Sequence, residues 1–196
     1  ELFALLVHHY KTPLAKFTIL DTLFPDADYD KANKLFYVSC SYLRSAFSKL
    51  NYPEVLIRDN DNYRINTSIL DCDYITLLES EKKLADMSTK ELIELSLLCA
   101  GEYHMGKSYD WALETKAYIE TLSRKILLSL ADAYIADGNT LDAISTLEKC
   151  LMNDPLNEEV VDKLIRLLIN NNQLSKARAI FSTFESKIQD ELGLDP

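Results

Sequence analysis

A mainly α fold in two parts is predicted by three observations: a composition boundary near residue 70, a pair of β-rich runs just before it, and a 34-residue repeat beyond it. From Glu1 to Leu70 there are eight basic and eight acidic residues, whereas from Asp71 onward there are thirteen basic against twenty-three acidic. The net charge of −10 therefore belongs to the second part. Residues 1–70 read as short helices closed by a β-hairpin, and residues 71–196 as helices throughout.

With 47% hydrophobic residues in 196, the chain can bury a real core. Four glycines and five prolines argue against a long flexible linker, and the apolar runs fall far short of a membrane span, so a soluble protein with no membrane partner is expected. Cys40, Cys72, Cys99 and Cys150 are widely spaced with no C-x-x-C pair, which predicts buried free thiols and a cytoplasmic location. The chain opens inside a helical pattern, ELFALLVHHY, without an initiator Met or a signal peptide, as a fragment of a longer polypeptide would.

Residues 1–10 place Leu2, Leu5, Leu6 and His9 on one side of a short helix that ends at Pro13, because the residue before a proline avoids the α region. A second helix over 15–24 presents Phe17, Leu20, Leu23 and Phe24 before Pro25. The third helix, 30–50, has two chemically distinct faces. Within about 60° of Leu43 on a helical wheel lie Ala32, Phe36, Cys40, Phe47 and Leu50, a stripe that packs. The opposite side carries Lys34, Tyr37, Val38, Ser41, Ser45 and Ser48, flanked by Arg44 and Lys49, and no acid. Tyr52-Pro53 then leads into VLIR and YRIN around the polar turn DNDN, a hairpin over 55–66 in which Asn62 is expected to take the left-handed conformation.

Three helices followed by a hairpin carrying Arg58 and Arg64 outline a winged helix-turn-helix. In that reading helix 30–50 enters a DNA major groove, where small hydroxyls, a phenol, Val38 and a few cations suit base edges, a thymine methyl and phosphates. The wing touches backbone or minor groove. The expected DNA-binding residues are Lys16, Lys34, Tyr37, Val38, Ser41, Arg44, Ser45, Lys49, Arg58 and Arg64. For the helix taken alone, an ordinary solvated face is the competing explanation.

Beyond residue 70, a helix is expected from Cys72 to about Ala85, a capping box at Ser88 and Glu91 opens the next, and a longer one runs from about Lys107 through Trp111 to Ala136. Taking Pro155 as the closing proline of a 34-residue unit puts Leu127, Leu130, Ala131, Tyr134, Gly138, Ala143 and Leu147 at the signature positions of a tetratricopeptide-like repeat. A shift of 34 gives Val161, Leu164, Ile165, Leu168, Asn172, Ala177 and Phe181. The alanines are small where two helices approach closely, and Gly138 and Asn172 suit a left-handed helix end.

The stretch LFALLVHHYKTPLAKFTILDTLFPDADYDKANKLFYVSCSYLRSAF, followed by LIRDNDNYRIN, resembles the winged helix of OmpR-type regulators in the version found in Streptomyces antibiotic regulatory proteins. The marks are Leu23-Phe24-Pro25, Ala32, Leu43-Arg44 and Asn62-Tyr63-Arg64; the family usually has tryptophan where Phe24 stands and glycine where Asn62 stands. The second part resembles the bacterial transcriptional activator domain of the same regulators, through Asp71-Cys72-Asp73-Tyr74, Tyr109-Asp110-Trp111, Asp154-Pro155-Leu156-Asn157-Glu158-Glu159 and the closing Glu191-Leu192-Gly193-Leu194-Asp195-Pro196. The resemblance implies a DNA-binding transcriptional regulator, the output part of a response regulator. Double-stranded DNA is the expected partner, with homodimerisation and RNA polymerase contact as roles open to the repeat domain.

No phosphate-cradling glycine loop, H-E-x-x-H, G-x-S-x-G or paired-cysteine spacing occurs, so no enzyme, cofactor or metal site is expected. His8-His9 and His104, in its Tyr-His-Met context, are read as packing residues rather than ligands. Tyr103, Tyr109, Trp111 and Tyr118 are expected to form an aromatic packing layer rather than to line a ligand groove. The runner-up function is a protein-interaction scaffold, in which the acidic repeats bind a partner and the winged helix no longer binds DNA.

Overall fold

The computed structural model describes residues 1–101, 103–104 and 106–193, so Glu102, Met105 and the closing Leu194-Asp195-Pro196 lie outside the described residues. The protein is mainly helical with one small sheet, as the sequence pattern predicts. It divides into two compact units, Glu1–Ile75 with Ser108–Leu113, and Thr76–Lys107 with Glu114–Pro196.

The first unit opens with α1 (Leu2–His8), which buries Leu2, Leu5, Leu6 and Val7. The two-residue strand β1 (Leu14–Ala15) follows, and then α2 (Lys16–Leu23). β1 was not legible in the periodicity. It pairs antiparallel with the hairpin, Leu14 opposite Tyr63 and Ala15 opposite Asn62, and this extended pairing delays the start of α2 to Lys16. The buried edge of α2 is Ile19 and Leu20, whereas Phe17 is 71% exposed. At 100° per residue Phe17 lies about 110° round the helix from the midpoint of that edge.

Helix α3 (Tyr29–Ser48) begins at Asp28, whose carboxylate accepts the Lys31 backbone N–H at 2.9 Å. Its inner face buries Ala32, Phe36 and Cys40, leaves Leu43 and Phe47 half-buried, and exposes Leu50, which lies past the last turn. The strands β2 (Leu56–Asp59) and β3 (Asn62–Ile65) complete a sheet of order β1-β3-β2. In the hairpin Leu56 faces Ile65, Ile57 faces Arg64, Arg58 faces Tyr63 and Asp59 faces Asn62. The left-handed residue is Asn60 (φ 54°) rather than Asn62, which lies within β3. The loop holds only Asn60 and Asp61, and such a tight connection takes positive φ at its first residue to match the strand twist. Phe36 of α3 meets Tyr63 edge-on at 4.9 Å, so the hairpin is fixed to the inner side of the helix.

The chain continues through α4 (Asp73–Ser80), a 3-10 stretch over Glu81–Asp86 and α5 (Thr89–Leu97). The capping box forms as the sequence predicts: the Ser88 backbone N–H donates to Glu91 at 2.8 Å, and the Glu91 N–H donates to the Ser88 hydroxyl at 3.4 Å. The helix expected from Lys107 instead begins with a 3-10 turn at Asp110–Ala112 and becomes α6 (Leu113–Ala136). Three helices then follow, α7 (Thr140–Asn153), α8 (Glu158–Asn170) and α9 (Leu174–Leu192).

The 34-residue spacing recurs in the backbone of this second unit. At the end of α6 the Gly138 N–H donates to Ile135 O at 3.1 Å and the Asn139 N–H to Tyr134 O at 2.8 Å. At the end of α8 the Asn172 N–H donates to Ile169 O at 3.0 Å and the Gln173 N–H to Leu168 O at 2.8 Å. Both are paired bonds of a left-handed helix stop, with φ of 74° at Gly138 and 56° at Asn172. Leu127, Ala131, Leu147, Leu164, Leu168 and Ala177 belong to one buried core.

Candidate nucleic-acid interface

The α3 surface follows from its sequence. Packing takes Ala32, Phe36 and Cys40 inward, so Lys34, Val38, Ser41, Ser45 and Lys49 fall in one outward stripe, with Tyr37 and Arg44 beside it; all seven are exposed. No carboxylate occurs between Lys31 and Pro53, so nothing on the helix beyond its first turn opposes an approaching anion. Burial pushes the Cys40 thiol up from its usual range, and Arg44, one turn on, draws it partly back.

Lys16 joins this surface from the first turn of α2. Its backbone N–H donates to Asp61 O at 2.8 Å, and its ammonium sits 5.6 Å from the Tyr37 ring centroid and 6.0 Å from that of Tyr29. Partial desolvation pulls the Lys16 pKa down, but Tyr29, Tyr37 and Asp61 together hold it above the ordinary lysine value. Lys16 is a cation throughout the physiological range. Tyr29 escaped the sequence reading because it stands at the first helical position. The only cue was the Asp28 cap, which fixes that first turn.

The two hairpin arginines are separated. Cross-strand partners share a face of the sheet, so Arg58 lies with Tyr63 on the side that packs on α3, while Arg64 lies with Ile57 on the other. The Arg58 guanidinium stands 5.8 Å from the Tyr63 ring centroid, its Nε donates to Asn60 O at 2.6 Å, and it lies 3.6 Å from the Asp61 carboxylate. It secures its own turn. Arg64 projects exposed from the middle of β3. Burial raises the Tyr63 phenol's pKa, with the Arg58 charge acting in the opposite direction.

The aromatic residues expected to form a single layer do not. Trp111 stacks on Tyr109 at 5.0 Å and meets His8 edge-on at 5.1 Å within the first unit, and its indole N–H donates to the Glu1 carboxylate at 3.4 Å. Tyr118 belongs to the second unit, where its hydroxyl donates to Glu81. His8 and His9 are both half-buried, their rings 4.7 Å apart, and burial lowers the His9 pKa. Among the described residues no group of three His, Cys, Asp or Glu is placed to hold a metal ion, and no helix is long and apolar enough to cross a membrane.

The family model of the bacterial transcriptional activator domain matches residues 97–196, which span α6 to α9 and slightly more than half of the chain. The chain belongs to the bacterial transcriptional activator domain family. No curated protein matches it. As a member of that family the protein works in bacterial transcription regulation, and the match covers the repeat-bearing helices rather than the α3 surface.

Proposed function

We propose that the protein is a DNA-binding transcriptional regulator, the output part of a response regulator, acting without catalysis. Residues 1–70 serve as a winged helix-turn-helix, and residues 71–196 as tetratricopeptide-like repeats for dimerisation or RNA polymerase contact. The observation that carries this reading is the outer face of α3: two adjacent stripes of cations, hydroxyls and a phenol, free of acid beyond Asp30 in the first turn and standing clear of the packed face. Membership of the activator-domain family supplies the setting. In this reading Ser41 and Val38, short and central, read base edges, while Lys34, Arg44, Lys49, Lys16 and Arg64 meet phosphates. Arg58 holds the wing in shape.

Anisotropy titration of the full chain against sites selected from a random DNA pool tests the proposal. About five phosphates per protomer are within reach of these five cations, so log affinity should fall against log salt with a slope no steeper than about −5. Arg64→Ala should weaken matched and scrambled sites by a similar factor, and Ser41 substitutions should change which site is preferred. If neither variant moves affinity or preference, α3 is not a DNA reader. The scaffold reading then takes over, favoured by the exposed Tyr42 and the zero net charge of residues 1–70.

A further inference from the structure

A groove of about 650 Å³ lies between α7 and α9, with Leu151, Val161, Ile180 and Phe184 in its apolar lining and Lys149 and Lys187 at its edges. Its walls run from Ser145 to Met152 on one helix and from Ile180 to Lys187 on the other. Seven residue steps at 1.5 Å make each wall roughly 10 Å long, the length of two helical turns. Met152 is 73% exposed on the rim, an unbranched side chain able to adapt to whatever lies against it.

The charge of the rim opposes that of the chain. Between Arg124 and Lys187 the cations Arg124, Lys125, Lys163, Arg166 and Lys176 each hold a carboxylate. Lys176 is joined to Glu148 at 2.6 Å, which neutralises the one acid in the groove lining among the described residues. Lys149 and Lys187 have no such partner among the described residues. A protein of net charge −10 thus presents a basic rim around an apolar trough. At physiological ionic strength charges beyond about 8 Å are screened, so an occupant feels these two lysines more than the distant acidic surplus.

We propose that this groove docks an amphipathic helix of a partner protein, two turns long at the contact, with large apolar side chains on one face and carboxylates flanking them. The apolar face fills the trough over Val161 and Phe184, and the carboxylates meet Lys149 and Lys187. The overall charge would have pointed to a basic partner; the local rim selects an acidic one.

The probe is a fluorescein-labelled 16-residue helical peptide with leucine at i, i+3, i+4 and i+7 and glutamate on the flanks, titrated into the full chain at about 150 mM salt. Its counterpart carries lysine on the flanks. The glutamate peptide should bind at least tenfold more tightly than the lysine peptide. The Lys149→Glu/Lys187→Glu double variant should reverse that order, a gain for the lysine peptide that an unfolded variant cannot produce. Arg178→Glu, an exposed change on α9 outside the lining, should leave both affinities unchanged. Equal binding of the two peptides, or an unchanged preference in the double variant, overturns the proposal. So does concentration-dependent self-association in sedimentation velocity that the double variant abolishes, because the occupant would then be a second copy of this chain.

Discussion

The helix pairs α6–α7 and α8–α9 share one register but not one degree of burial. Ala143 and Ala177, and Leu130 and Leu164, are buried at matching positions 34 residues apart. Leu147 is fully buried, whereas its counterpart Phe181 is 48% exposed; Cys150 is buried, whereas its counterpart Phe184 is half-buried. The difference lies in the neighbours. The face of α7 that carries Leu147 and Cys150 shares a core with Val160, Leu164 and Leu168 of α8, while α9 packs chiefly on α8 and leaves Phe181 turned outward. A repeat in sequence guarantees equivalent backbone and close contacts; burial of its outer positions depends on what stands next to it.

The strongest way to break this comparison is to truncate both members of the unequal pair. Leu147→Ala should cost about 2–5 kcal/mol in denaturant unfolding, because a fully buried side chain leaves a cavity behind. Phe181→Ala should cost under about 1 kcal/mol, since half of its ring already meets water. Equal losses would mean that the phenyl ring is covered in solution.

Enlarging the matched pair is the next test. Ala143→Leu and Ala177→Leu should each overpack a close helix contact and cost about 1–3 kcal/mol. Glu148 cannot serve as a neutral control, because it is half-buried and paired with Lys176. Ser182→Leu on the open side of α9 is the better control and should stay within about 0.5 kcal/mol. Similar small effects at all three sites would dissolve the register.

The helix stops provide a third, smaller effect. Both end in a left-handed residue, but only Gly138 adopts it without a Cβ penalty. Asn172→Gly should therefore raise stability by up to about 1 kcal/mol, and Gly138→Asn should lower it by a similar amount, read as shifts in the urea midpoint at constant slope.

Legibility in the sequence followed the same division. Where a side chain's place is set by local chemistry, the residues announced it: the Ser88 capping box, the small alanines, the paired helix stops and the Ala32-Phe36-Cys40 stripe all stand where periodicity puts them. Where place depends on a distant segment, they did not. β1 exists only because Tyr63 and Asn62 come back to pair with it, and the buried edge of α2 is Ile19 and Leu20 while Phe17 is exposed. The return of Ser108–Leu113 to the first unit, with Trp111 against His8, has no local signal at all. On the candidate interface, the outward stripe of α3 was readable from the wheel, but the opposed directions of Arg58 and Arg64 required the strand register. The wrong left-handed asparagine has the same origin: DNDN offers two, and only the pairing of Asp59 with Asn62 shows that the loop between them starts at Asn60.

The finest test of the unequal pair uses chemistry rather than stability. Burial, with a small addition from Cys99, pushes the Cys150 thiol up to about 11, and Arg124 and Lys163 only partly oppose it. At pH 8 roughly 0.1% of such a thiol is thiolate, against roughly a tenth for an unperturbed one at 9.0. Iodoacetamide should therefore leave Cys150 unmodified in the native protein, measured peptide by peptide with mass spectrometry. Phe184→Cys places a thiol at the equivalent position of α9, where half-exposure should let it label at close to the rate of an unfolded cysteine. The pH dependence follows with a definite sign. Because the folded pKa is raised, this thiol's contribution to stability is fully present below pH 9 and is lost as the pH rises from 9 through 11. Replacing Cys150 with alanine should remove that part of the alkaline decline, whereas an added cysteine at 184 should contribute little to it. Equal protection of both thiols from the reagent would show that the outer face of α9 is as closed as that of α7, and the asymmetry between the two pairs would be gone.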